Sequence, residues 1–151
     1  MARANHIQPL LPHVGDARLL DAVVGHEVGW LEAGLVVRAD TAFSEADGSL
    51  MPWVGLEIMA QAVSAYATVS AGRDGDPHIG LLLGVRAYSC DLERFLPGAR
   101  LVARVEESTR DEQHMAVFDC WLSEGGTVVA EGKLTVFEPD GIREYLAGPA
   151  P

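Results

Sequence analysis

The sequence predicts an α+β fold in which one antiparallel sheet curls around a single long helix. Three observations lead there. The stretch from Met51 to Gly72 is apolar on almost every side when wound at helical spacing, and a helix of that kind is buried rather than laid on a surface. Runs with two-residue alternation lie on both sides of it, as half-buried strands require. The order is two strands, the helix, then four strands, so one sheet wrapped around the helix is the arrangement that covers its apolar surface.

From the N-terminus, His6 to His13 is apolar enough for a short helical turn closed by Pro12. Arg18 to Trp30 reads as a strand through Leu20, Val23 and Val24. Leu31 to Ala39 reads as its hairpin partner through Leu35, Val36 and Val37. Asp40 to Leu50, rich in Ser, Asp and Gly, is a loop. The helix is expected from about Trp53 to Ala71. Pro52 stands near its start, where a missing N–H costs nothing, and Gly72 suits the position just past its end. Arg73 to Pro77 is a connection dense in Gly and Asp. Four strands follow: His78 to Cys90, Arg100 to Arg110, His114 to Ser123, and Thr127 to Phe137. Glu124-Gly125-Gly126 is the hairpin signal between the last two. Pro139, Gly141 and the residues from Gly148 on indicate a short turn and a loose tail over about 147–151. There is no internal repeat, and 1–151 is expected to form one domain.

Composition narrows the function classes. The 151 residues carry a formal charge of −11 and are 48% hydrophobic, which excludes a disordered chain and argues against binding to nucleic acid or an anionic membrane. No run is long enough to span a bilayer. The segment Met1 to His6 is polar and too short for a secretory signal, so the expected compartment is cytoplasmic. Cys90 and Cys120 fall in strands without metal-ligand spacing and read as free thiols. Lys133 is the only lysine, whereas five of the ten arginines, Arg86, Arg94, Arg100, Arg104 and Arg110, share one 25-residue segment. That segment could meet an acidic partner, or be ordinary solvated strand positions.

Within the helix the polar exceptions are Glu57, Gln61, Ser64 and Thr68. Spacings of four, three and four put them in one narrow stripe. Glu57 is thus a carboxylate in the first turn of a buried helix. Burial raises its pKa and the helix N-terminus lowers it, so two roles stay open: a general acid, or a residue that complements the helix dipole.

Three local patterns resemble a known family. They are Leu10-Leu11-Pro12-His13 with Leu19-Leu20-Asp21; Met51-Pro52-Trp53-Val54-Gly55-Leu56-Glu57-Ile58-Met59-Ala60-Gln61; and Gly84-Val85-Arg86 with Phe95-Leu96-Pro97-Gly98 and Leu101. In this order they are similar to segments of the hotdog-fold 3-hydroxyacyl-acyl-carrier-protein dehydratases of the FabZ and FabA type. The chain most closely resembles the ApeP-like branch associated with aryl polyene synthesis. The wide apolar surface and the edge strands fit a sheet-extending homodimer. The resemblance implies a hotdog fold in which two subunits pair, either two copies or this chain with a homologous dehydratase, and an active site near the subunit interface at the helix N-terminus. It implies acyl carrier protein as the acidic partner bringing the thioester, with no cofactor and no metal. Glu57 takes the place of the family's helix carboxylate, and Gln61 stands one turn on, where it could orient it. Trp53, Val54 and Gly55, with Gly84, are implied to line the substrate site. Arg86, Arg94, Arg100 and Arg104 are the candidates for carrier docking. The family's loop histidine has no counterpart in Phe43 to Pro52, and Trp53 replaces a glycine. The base is therefore unassigned, with His13 and His78, which adjoin the matched segments, as candidates. Three functions remain open: a 3-hydroxyacyl thioester dehydratase, a non-catalytic hotdog subunit that partners an active one, and a hotdog thioesterase.

Overall fold

The structure, a computed structural model, describes residues 5–6, 15–70 and 81–138. Strands β1 (Asn5–His6), β2 (Ala22–Glu27) and β3 (Trp30–Val36) precede the helix α1 (Val54–Ser70). Strands β4 (Leu81–Cys90), β5 (Arg100–Arg110), β6 (Met115–Glu124) and β7 (Thr127–Phe137) follow it. They form one sheet in the order β1-β2-β3-β5-β6-β7-β4, and every pairing is antiparallel. The expected α+β class and central helix are therefore present.

The helix is buried because its sequence leaves it only one narrow polar stripe. Val54, Gly55, Ile58, Met59, Ala62, Val63, Ala65, Tyr66 and Ala67 are all buried, as are the polar Gln61 and Thr68. The covering sheet supplies alternate residues. Along β6, Ala116, Phe118, Cys120 and Leu122 point inward while their neighbours are half-exposed, the two-residue period of a sheet with one dry face. Phe118 meets Tyr66 edge-on, with ring centroids 5.4 Å apart. Fully burying such a side chain contributes roughly 1.5–3 kcal/mol. Neither cysteine is in a disulfide, and burial pushes the Cys120 thiol up to about 12.

Turn chemistry follows the sequence where glycine is required. Gly125 and Gly126 both have positive φ, 57° and 82°, as a two-residue type I′ hairpin demands. Two expectations are corrected. The first hairpin turns at Val28-Gly29, two residues earlier than the alternation indicates, because β2 is bulged between Val23 and Gly25 and its alternation is scrambled. His6 is not helical: it pairs with Ala22 in β1. The rest of that segment, including His13, lies outside the described residues. So do Gly72, the 73–77 connection, His78 and the C-terminal tail.

Candidate functional site

The residues singled out in the sequence meet at the start of α1. The chain enters there from Leu50, which is pinned to Phe95 by two backbone hydrogen bonds of 2.9 Å. Three tight bonds then wind the first turn: Val54 N–H to the Met51 carbonyl (3.0 Å), Gly55 to Pro52 (3.1 Å) and Leu56 to Trp53 (3.1 Å). Of the residues implied to line the substrate site, Val54 and Gly55 thus have their N–H groups already engaged inside the turn. The Trp53 N–H has no partner among the described residues.

Glu57 follows in that first turn and is half-buried, less enclosed than the apolar helix leads one to expect. Its Oε1 accepts a hydrogen bond from Gln61 Nε2 at 3.1 Å. Gln61 is itself fully buried and saturated. Its Nε2 also donates to the Ala17 carbonyl at 2.9 Å, and its Oε1 accepts from Leu19 N–H at 2.9 Å and from Leu20 N–H at 3.4 Å. One amide therefore ties Glu57 to the backbone of residues 17–20, the segment that follows Pro12-His13. Lower in the same stripe, Thr68 bonds back to the Ser64 carbonyl at 3.1 Å.

The loop before the helix is tightly built. Asp47 Oδ1 accepts from the Ser49 hydroxyl at 2.6 Å and from its N–H at 3.0 Å, and these bonds hold the Asp47 carboxyl below its ordinary pKa. Phe43 stands edge-on to Trp53, with centroids 6.3 Å apart. The Trp53 side chain is 56% exposed and so belongs to the surface beside the turn. Gly84 lies on β4 at a register shift, with open space beside its Cα.

The arginine cluster is divided by the fold. Arg104 stacks over Trp30, 4.4 Å from the ring centroid, and is clamped at 2.8 Å to both Glu32 and Glu106. These carboxylates raise its pKa and neutralise its field. Arg110 bridges Glu107 and Glu138. Arg94 donates to the Ser49 hydroxyl at 3.0 Å and so braces the loop. Arg86 and Arg100 are exposed strand positions. Tyr88 was not legible as a site residue, yet its hydroxyl donates to the Pro52 carbonyl at the helix entrance.

Among the described residues no group of three His, Cys, Asp or Glu side chains is arranged to hold a metal ion, and no helix is long and apolar enough to cross a membrane.

A family model described as ApeP-like, ApeP dehydratase, matches residues 5–147. Among solved structures the chain is similar to the dehydratase heterocomplex ApeI:P from Xenorhabdus doucetiae. Identity is 28% over 93% of this chain and 95% of that one, with a TM-score of 0.82. It is also similar to the PaaI protein of the E. coli phenylacetic acid degradation operon (16% identity, 76% and 80% covered, TM-score 0.58). A hypothetical thioesterase with coenzyme A from Streptococcus pneumoniae is a further match (16% identity, 76% and 85% covered, TM-score 0.59). At such identity the last two speak for the hotdog fold alone. A comparison with curated protein sequences gives no match.

Proposed function

The chain belongs to the ApeP-like dehydratase family, and from that membership we propose that it serves as one subunit of a paired hotdog dehydratase acting on 3-hydroxyacyl thioesters, with Glu57 as general acid. The observation that carries this reading is the Glu57–Gln61 pair in the first turn of α1. Dehydration breaks the C2–H bond, moves its electron pair into the C2–C3 bond and expels the C3 hydroxyl, which needs a proton to leave as water. Glu57 supplies that proton, and Gln61 holds the carboxyl in place. Our candidate for the base is His13, four residues before the Ala17 carbonyl that the same Gln61 amide grips.

Pairing is supported by the edge of the sheet. Strand β4 ends the strand order, and it exposes Leu82, Leu83 and Val85. An exposed apolar edge of this kind, with Arg86 as its one charged residue, invites another strand. Similarity to a dehydratase heterocomplex favours a homologous subunit as its cellular occupant, with self-pairing when the chain is expressed alone. The test follows enoyl absorbance with a 3-hydroxyacyl thioester, for the chain alone and with a co-purifying homologous dehydratase, alongside sedimentation at micromolar concentration. Turnover and a dimer that Leu83→Lys dissociates are expected. A wild-type monomer that neither turns over nor changes its partner's rate would sink the reading.

A second reading is a non-catalytic subunit. It is favoured by the Phe43–Trp53 pair, two apolar rings that stand beside the loop-to-helix junction where the family resemblance leads one to look for a histidine. Turnover that appears only with the partner and ignores Glu57 would select it.

We further propose that the thioester arrives on an acidic carrier protein that meets the exposed Arg86 and Arg100. Arg86→Glu and Arg100→Glu are expected to weaken carrier binding severalfold at low salt and little at high salt. Arg104→Gln should matter least, because Glu32 and Glu106 already neutralise that guanidinium. Equal binding by all variants at low ionic strength would rule the docking role out.

A further inference from the structure

Strand β4 breaks its own regularity to deliver one side chain. Its register with β7 slips between Arg86 and Ser89. In the slip Ala87 has φ 53°, a left-handed conformation that costs a non-glycine residue energy and persists only where its surroundings impose it. The residue so delivered is Tyr88. Its ring lies on Gly132 of β7, where a Cβ would come within 3.2 Å of Tyr88 Cδ2. Its far end covers Gly55 of α1, where a Cβ would collide with Oη. Oη donates to the Pro52 carbonyl at 2.5 Å. A bulge and two glycines, on three different elements, thus combine to seat one phenol against one carbonyl.

That carbonyl matters because of what it shares. The Pro52 C=O and the Trp53 N–H belong to one planar trans peptide and point in opposite directions. The carbonyl already accepts from the Gly55 N–H at 3.1 Å, and Tyr88 takes its second lone pair. With both used, tilting the peptide plane would weaken one bond or the other. Burial raises the phenol's pKa further above its ordinary value, so Tyr88 stays a donor across the working pH range.

We propose that Tyr88 is a positioning residue for the site: by fixing the Pro52–Trp53 peptide it aims the Trp53 N–H at the thioester oxygen and keeps the turn that bears Glu57 in register. The proposal rests on the dehydratase reading above. Donors set in place beforehand stabilise developing charge without having to reorient during reaction, so the effect falls on kcat.

Tyr88→Phe keeps the ring and removes only the hydroxyl. Two measurements are made. Hydrogen exchange at the Val54–Glu57 amides is expected to quicken about tenfold. The dehydration kcat is expected to fall about tenfold with KM little changed. Gly132→Ala, on β7, crowds the ring and should move both in the same direction by less. Unchanged exchange in Tyr88→Phe overturns the proposal whatever turnover does, and faster exchange with unchanged kcat overturns it as well. A wild type inactive with every partner removes the dehydratase reading and the catalytic half of this one. The exchange measurement then still decides whether Tyr88 pins the turn, supporting the anchor if it quickens and overturning it if it does not.

Discussion

Replacing Glu57 by glutamine should lower turnover of a 3-hydroxyacyl thioester by roughly 10²- to 10⁴-fold, the usual cost of losing a positioned general acid, while thermal stability barely moves. The substitution is nearly isosteric. The new amide oxygen can still accept the 3.1 Å bond from Gln61 Nε2, so the clamp on residues 17–20 is kept. The substitution removes the acidic proton and, where the carboxyl is ionised, its favourable interaction with the N-terminal end of the helix, worth at most about 1 kcal/mol at a partly exposed site. The check is a progress curve at the enoyl absorbance for wild type and Glu57→Gln, with and without the partner, beside a melting curve. Turnover that survives the substitution unchanged would remove Glu57 from the chemistry. A large loss of stability would instead favour the dipole-complementing role that the sequence also allows.

Much of this architecture can be read from the chain because its determinants are local. The bounds of β5 and β7, Arg100–Arg110 and Thr127–Phe137, match the expected ones, since alternation and the paired glycines at 125 and 126 mark them. Helix α1 is legible because so few residues in it are polar. What escapes the sequence is set by distant contacts or by broken periodicity. Two residues, Asn5 and His6, are too few to show a period. The bulge at Val24 hides the true turn at Gly29, and a left-handed alanine at 87 gives no turn signal, so Tyr88 goes unnoticed. The four arginines look alike in sequence. Only the fold shows that Arg104 is neutralised by Glu32, 72 residues away, and that Arg94 braces the Ser49 loop. At the site, the helical spacing of four brings Gln61 to Glu57, but nothing local reveals that the same amide holds the backbone 41 to 44 residues upstream.

That hidden role makes Gln61 the position where a modest change should cost most stability. Gln61→Leu is close in volume and would suit an ordinary core site, where adding apolar surface is neutral or helpful. Here it strips the acceptor from the Leu19 and Leu20 N–H groups and the donor from the Ala17 carbonyl, at a residue with no exposure to water. Each backbone group left unpaired in a buried place costs about 1–3 kcal/mol. Relaxation and water entry recover part of that, so the net loss should be about 2–4 kcal/mol, or about 5–15 °C in Tm for a chain of this size. The loss should also be local. Residues 15–20 should exchange their amide hydrogens faster than the strands do, and kcat should fall because Glu57 loses the 3.1 Å bond by which Gln61 orients it. Gln61→Glu is the informative companion: it keeps an acceptor for Leu19 but sets a second carboxylate against Glu57 and has no donor for Ala17 when ionised. Like charges at that distance resist joint ionisation, so the pair holds a proton in the folded state that the unfolded chain gives up more readily. Stability of this variant should therefore be highest at acid pH and decline as pH rises through the raised value. Denaturant titrations of both variants at two pH values measure the stability changes, and amide exchange and a turnover assay measure the rest. If Gln61→Leu melts within about 2 °C of wild type, Gln61 is a packed core residue, and the link from residues 17–20 through Gln61 to Glu57 does not hold the site together.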